Sequence, residues 1–164
     1  MELVLQGHVD VLAHTIEDPE HWTDSTVARL KAANVSLVPT LALFSPDGDA
    51  EGILHEVKSY ADAGGRILFG TDVGYLTDYD RLAREFELLA RAGLRFPQIL
   101  ASLTTAPAER LGFGARAGRI AIGMDADLVV LDGDPARDVR AFARVRYTVR
   151  AGRVIYGSRS PAGH

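Results

Sequence analysis

The sequence predicts an α/β chain in which parallel strand–helix units come first and a small antiparallel sheet follows. Short apolar runs alternate with stretches of helical periodicity over residues 1–112, the pattern of βα units whose strands lie side by side in parallel. From residue 113 onward the helical spacing stops, and short β-rich runs are punctuated by GMDAD, DGDP and RAGR. A content of 47% hydrophobic and 24% charged residues in 164 is ordinary globular composition, enough for one core plus a small appended unit.

Taken in order, residues 9–13 (VDVLA) form a short apolar strand, and 26–33 (TVARLKAA) a helix with Val27, Leu30 and Ala33 on one face. Residues 35–44 (VSLVPTLALF) are predicted as a second strand. Residues 48–63 are helical, with Ile53, Leu54, Val57 and Tyr60 in one stripe and Gly64 and Gly65 suited to end it. A third strand covers 67–69, and the amphipathic helix 80–91 (DRLAREFELLAR) carries Leu82, Phe86 and Leu89 before Gly93 stops it. Residues 96–111 divide into two short helices, the second with Thr105 as cap, Pro107 in its first turn and Gly112 beyond its end. Strands are then expected at 119–122, 128–131, 145–149 and 154–156, with 113–118 as the junction.

The composition also excludes function classes. Lys and Arg number 18 against 22 acidic residues, for a net charge of −4 and a pI near 5.7, and no basic cluster offers a nucleic-acid footprint. The chain has no cysteine, which removes disulfides, thiolate metal sites and cysteine nucleophiles. No apolar run approaches the roughly 18 to 20 residues that span a bilayer, and the N-terminus lacks a charged segment followed by an apolar one. The expectation is a soluble, cytoplasmic protein without nucleic-acid or membrane partners.

One stretch looks arranged for chemistry. In RILFGTDVGY, residues 66–75, an apolar strand stops abruptly at Gly70 and Thr71, and Asp72 follows. A carboxylate there either meets something cationic or escapes to solvent in a turn, because burying it unpaired is costly.

VDVLAHT, VPTL, ILFGTDVG, LTTAPAERLG and the ending GRIAIGMDADLVVLDGDP with VRYTVRAGRVIYG together resemble the C-terminal portion of the amidohydrolase superfamily, closest to its imidazolonepropionase-like and prolidase-like metal-dependent hydrolases. The resemblance covers almost the whole chain. It implies a partial (β/α) barrel over 1–112, comprising the last three strand–helix units, and an accessory β-sandwich segment over 113–164. Residues 9–13, 35–43 and 67–69 correspond on it to barrel strands six, seven and eight, and 1–6 (MELVLQ) to the tail of the preceding helix. Barrels of this class carry functional groups at the C-terminal ends of strands, where His14 and Asp72 stand. The resemblance makes His14 a metal ligand, and Asp72 both a ligand and the general base toward the attacking water. An imidazole nitrogen and a carboxylate suit zinc or another divalent metal. His8, which replaces the small residue expected after that first helix, and His21 and His55 are candidates for an additional ligand or base.

The family's His-x-His pair on strand one, its lysine on strand four and its histidine on strand five have no counterpart here. The leading expectation is a metal-dependent hydrolase that activates water to cleave an amide, ester, lactone or related bond in a small-molecule substrate. The alternatives are a catalytically silent half-barrel with a structural role and a metal-independent promiscuous hydrolase using Asp72 or a histidine as base. Three strands cannot close a barrel, so Val38, Leu41, Leu43 and Leu68 are expected to lie uncovered and to drive formation of a homodimer or higher oligomer.

Overall fold

The computed structural model describes residues 1–14, 21–45, 51–72 and 82–158. Helix α1 (Glu2–Gln6) leads into β1 (Val11–Ala13), followed by α2 (Asp24–Ala32), β2 (Ser36–Val38), α3 (Leu41–Phe44), α4 (Glu51–Asp62), β3 (Arg66–Ile67) and α5 (Leu82–Arg91). The strands pair in parallel in the order β1-β2-β3, with Val11 opposite Ser36 and Leu37 opposite Ile67. Parallel neighbours need crossovers, which α2 and α4 supply. The ladder runs one residue past β1 and β3: the N–H groups of His14 and Leu68 donate to the carbonyls of Val38 and Leu37, each at 2.8 Å.

The predicted helix faces are buried except at their ends: Ala33, just past α2, and Leu82, the first residue of α5, are exposed. Thr23 caps α2 by accepting from the Thr26 N–H at 3.2 Å, and Val27 and Leu30 point inward. On α4, Leu54, Val57 and Tyr60 are buried, and the Tyr60 hydroxyl donates to the Val35 carbonyl at 2.6 Å. Trp22 closes over this helix, its indole N–H donating to Ser59 Oγ at 2.8 Å. A Cβ on Gly65 would lie 2.5 Å from the Tyr60 ring, so only glycine lets β3 start so close to that side chain.

Helices α6 (Phe96–Leu103) and α7 (Thr105–Arg110) follow α5, as the sequence predicts, but the cap of α7 is Thr104 and not Thr105, and its hydroxyl donates back to the Leu100 carbonyl at 2.7 Å instead of capping. The carbonyl of Ser102 accepts the Phe69 N–H at 3.0 Å, and Arg110 reaches back to the Asp10 carboxylate at 2.6 Å. The C-terminal segment forms a second sheet, antiparallel in the order β4 (Leu128–Leu131), β5 (Val145–Arg150), β6 (Arg153–Gly157). A 3₁₀ turn, Val139–Ala143, ties this segment to the first part of the chain. Its Phe142 stacks on Phe86 at 5.1 Å and Phe96 at 5.9 Å, and Phe86 stacks in turn on Phe69 at 4.5 Å. This aromatic column is part of one core cluster that also includes Leu37, Leu41, Val57, Leu88 and Leu89.

Three expectations are corrected. The predicted strand over 35–44 ends at Val38, because Pro39 has no N–H for the ladder and Thr40 turns left-handed (φ 50°, ψ 47°), sending Leu41–Phe44 into a helical turn. No strand forms over 119–122: the chain turns there, Met124 N–H bonding Ala121 O at 3.2 Å and Asp125 N–H bonding Arg116 O at 2.7 Å, so Ile120 and Ile122 project into solvent. The uncovered inner face is smaller than expected, since Leu41 and Leu68 are buried within this one chain and Val38 and Leu43 are half-buried. Leu41 is buried because the turn at Thr40 carries it off the strand and into the core. The predicted helical residues 48–50 and 80–81 lie outside the described residues.

Candidate functional site

Parallel pairing places the C-terminal ends of β1, β2 and β3 at one edge, and that edge carries His14, Thr40 and Asp72. His14 follows β1 directly and is half-buried, with φ 73°. Asp72 follows Gly70 and Thr71 beyond β3, is exposed, and has φ 53°. Strands β1 and β3 lie two inter-strand spacings apart, about 10 Å at the backbone, with β2 between them. A Cβ on Gly70 would meet the Val38 side chain at 2.4 Å, so a glycine allows the segment before Asp72 to cross close over β2.

His14 is held by the segment after β2. Its Nδ1 lies 2.8 Å from Thr40 Oγ1, and its ring meets the Phe44 ring edge-on with centroids 5.5 Å apart. The Thr40 hydroxyl already donates its proton to the Pro39 carbonyl at 2.7 Å. Its oxygen can therefore only accept from His14, which puts the imidazole proton on Nδ1 and leaves Nε2 with a bare lone pair. A fixed tautomer with one nitrogen hydrogen-bonded and the other unprotonated is the arrangement that a metal-ligating histidine uses.

The segment holding His14 is itself anchored by a buried acid. Glu85 of α5 accepts the N–H of Leu41 at 2.9 Å on one carboxylate oxygen and that of Ala42 at 2.7 Å on the other. Burial pushes the Glu85 carboxyl up to about 7 despite these two donors, which act in the opposite direction. Neither Thr40 nor Glu85 is among the sequence-predicted site residues. Glu85 does leave a trace in the sequence: it falls in the apolar stripe of its helix, three residues after Leu82 and four before Leu89, where a solvated acid would not be placed.

The remaining candidates are dispersed. His8 is exposed, with φ 50°, before β1 starts and hence at the opposite end of the sheet from His14. His21 is exposed ahead of α2, and His55 is exposed on α4. Among the described residues no group of three or more His, Cys, Asp or Glu side chains is positioned to hold a metal ion. His14 and Asp72 offer one nitrogen and one carboxylate, donor types that suit zinc.

A parallel sheet whose strand-end edge carries a histidine and an aspartate, followed in the same chain by a small antiparallel sheet, makes this a mixed α/β protein. Residues 5–156 match the sequence profile of the amidohydrolase family, and the chain belongs to that family. Amidohydrolase tasK from Hapsidospora irregularis is 37% identical over 106 residues, 59% of this chain and 10% of that relative. Among solved structures, a prolidase complexed with N-methylphosphonate-L-proline is 26% identical with a TM-score of 0.70, over 92% of this chain and 41% of that one. A Xaa-Pro dipeptidase with methionine bound in its active site is 21% identical with a TM-score of 0.78, over 96% and 42%, a likeness of fold. The chain therefore spans about two fifths of these solved relatives. Among the described residues no helix is long and apolar enough to cross a membrane.

Proposed function

We propose that the chain contributes to a metal-dependent hydrolase of the amidohydrolase type, acting on an amide, ester, lactone or related bond of a small molecule. The observation that supports it most is the His14–Thr40–Pro39 relay, which leaves a ligand-ready Nε2 at the strand end where this family has its chemistry. His14 and Asp72 would hold zinc or another divalent ion, which when bound polarises the scissile carbonyl and lowers the pKa of water toward about 7. Asp72, exposed beyond β3, has room to accept a proton from the attacking water and return it to the leaving group. His14, held by Thr40 and Phe44, keeps its nitrogen aimed without rearrangement. Further ligands come from outside this pair, a second subunit being one source; His8, at the opposite end of the sheet, is not one of them.

In the same reading, residues 1–112 are the last three units of a β/α barrel and 113–164 an accessory β-sandwich segment. Self-association would cover exposed apolar residues such as Val9, Val11 and Ile155. Metal analysis of protein purified without added metal, beside hydrolysis of chromogenic esters, lactones, amides and phosphotriesters, tests the activity. His14→Ala should lower bound zinc and turnover together. Equal metal content in the variant and the wild type would refute the ligand role.

A further inference from the structure

We propose that Glu85 is a positioning residue for His14: by gripping the Leu41 and Ala42 N–H groups it fixes the turn whose Thr40 hydroxyl dictates the His14 tautomer. The inference rests on the reading of His14 as a ligand only for its consequence in metal affinity.

The chain of contacts is continuous. Glu85 is fully buried on α5, yet both its oxygens are committed to the backbone of a segment 43 and 44 residues earlier in sequence. That segment starts at Thr40, a β-branched residue in the left-handed region (φ 50°), a strained conformation that persists only where the surroundings over-determine it. The two hydrogen bonds from the residues immediately after Thr40 supply that constraint. They also set Phe44 at the other end of α3, whose ring edge meets the His14 ring. Two contacts on His14, the hydrogen bond at Nδ1 and the T-shaped contact with Phe44, thus depend on one carboxylate that does not itself touch the imidazole. Without the grip the turn can relax, Thr40 Oγ1 leaves Nδ1, and the imidazole reverts to the Nε2–H form that free imidazole side chains favour in water. That form offers no lone pair at Nε2.

The decisive readout is the tautomer itself, taken on the full 164-residue chain without metal. Imidazole nitrogen chemical shifts of His14, measured near pH 8 where Glu85 is ionised, should place the proton on Nδ1 in the wild type and in Thr40→Ser. They should place it on Nε2, or on both nitrogens, in Thr40→Val and Glu85→Ala, with Glu85→Gln, which keeps one acceptor oxygen, in between. Amide exchange in the wild type should show Leu41 and Ala42 protected, a test that stands even if Glu85→Ala fails to fold. Zinc titration calorimetry should then show affinity reduced roughly 10- to 100-fold in Glu85→Ala and Thr40→Val, and retained in Thr40→Ser. Unprotected Leu41 and Ala42 amides, an Nε2–H tautomer in the wild type, or an unchanged Nδ1–H tautomer in a folded Glu85→Ala or Glu85→Gln variant would each overturn the proposal. Wild-type protein with the expected tautomer and no zinc binding would instead refute the metal reading and leave the positioning role standing.

Discussion

Glu85 makes the stability of this chain depend on pH in a direction opposite to that of most acidic side chains. Its carboxyl is raised by burial from an ordinary 4.5 to about 7, while the unfolded chain ionises it near the ordinary value. Below pH 4.5 both states are protonated and no cost arises. Between 4.5 and 7 the unfolded state has released its proton while the folded state still holds one, so each rise in pH favours unfolding; above 7 both are ionised and the loss levels off. A displacement of that size corresponds to about 3 kcal/mol, a large share of the roughly 5–15 kcal/mol that holds a domain together. Two opposing effects meet at this carboxyl: the donors at 2.9 and 2.7 Å favour the anion, and removal from water disfavours it. The assay is urea unfolding of the wild type and Glu85→Gln across this pH range, with the difference between the two curves taken so that the histidines common to both cancel. The difference should fall by about 3 kcal/mol and then flatten. A flat difference would refute the reasoning, and one that rises with pH would mean that the two N–H donors outweigh burial.

Asp72→Asn should reduce turnover by about 10² to 10⁴ with little change in the unfolding midpoint, since the side chain is exposed; wild-type turnover would remove Asp72 from the mechanism. Gly65→Ala should destabilise by about 1–3 kcal/mol, because the new methyl meets a Tyr60 ring that its hydrogen bond to Val35 keeps from moving; calorimetric melting checks it. Sedimentation at micromolar concentration should show a dimer or larger species, and an active monomer would show that the exposed apolar residues around β1 need no cover.

The parallel and antiparallel halves were legible because period and punctuation carry them: helix stripes such as Leu54, Val57 and Tyr60 were read from spacing and are buried as read. The failures have physical causes. VPTLALF is apolar throughout and so resembles a strand, but Pro39 lacks an N–H and ends the ladder whatever follows it. Alternation at 119–122 promised a strand, but strands exist only where a partner offers its edge, and no periodicity reports that. His14 and Asp72 were visible as strand-end residues. The partners of Thr40 and Glu85 were not, because their contacts span 26 and 44 positions, which no local pattern encodes.

Arg110 and Asp10 close the largest loop described above, pairing residues 100 positions apart. During synthesis at about 5–20 residues per second, Asp10 leaves the ribosome several seconds before its arginine exists. Strand β1, which among the described residues pairs with β2, must wait through that interval with its start unsecured by the arginine. The nascent chain is thus most prone to wrong association before α7 emerges, and a ribosome that pauses ahead of residue 110 would prolong that exposure.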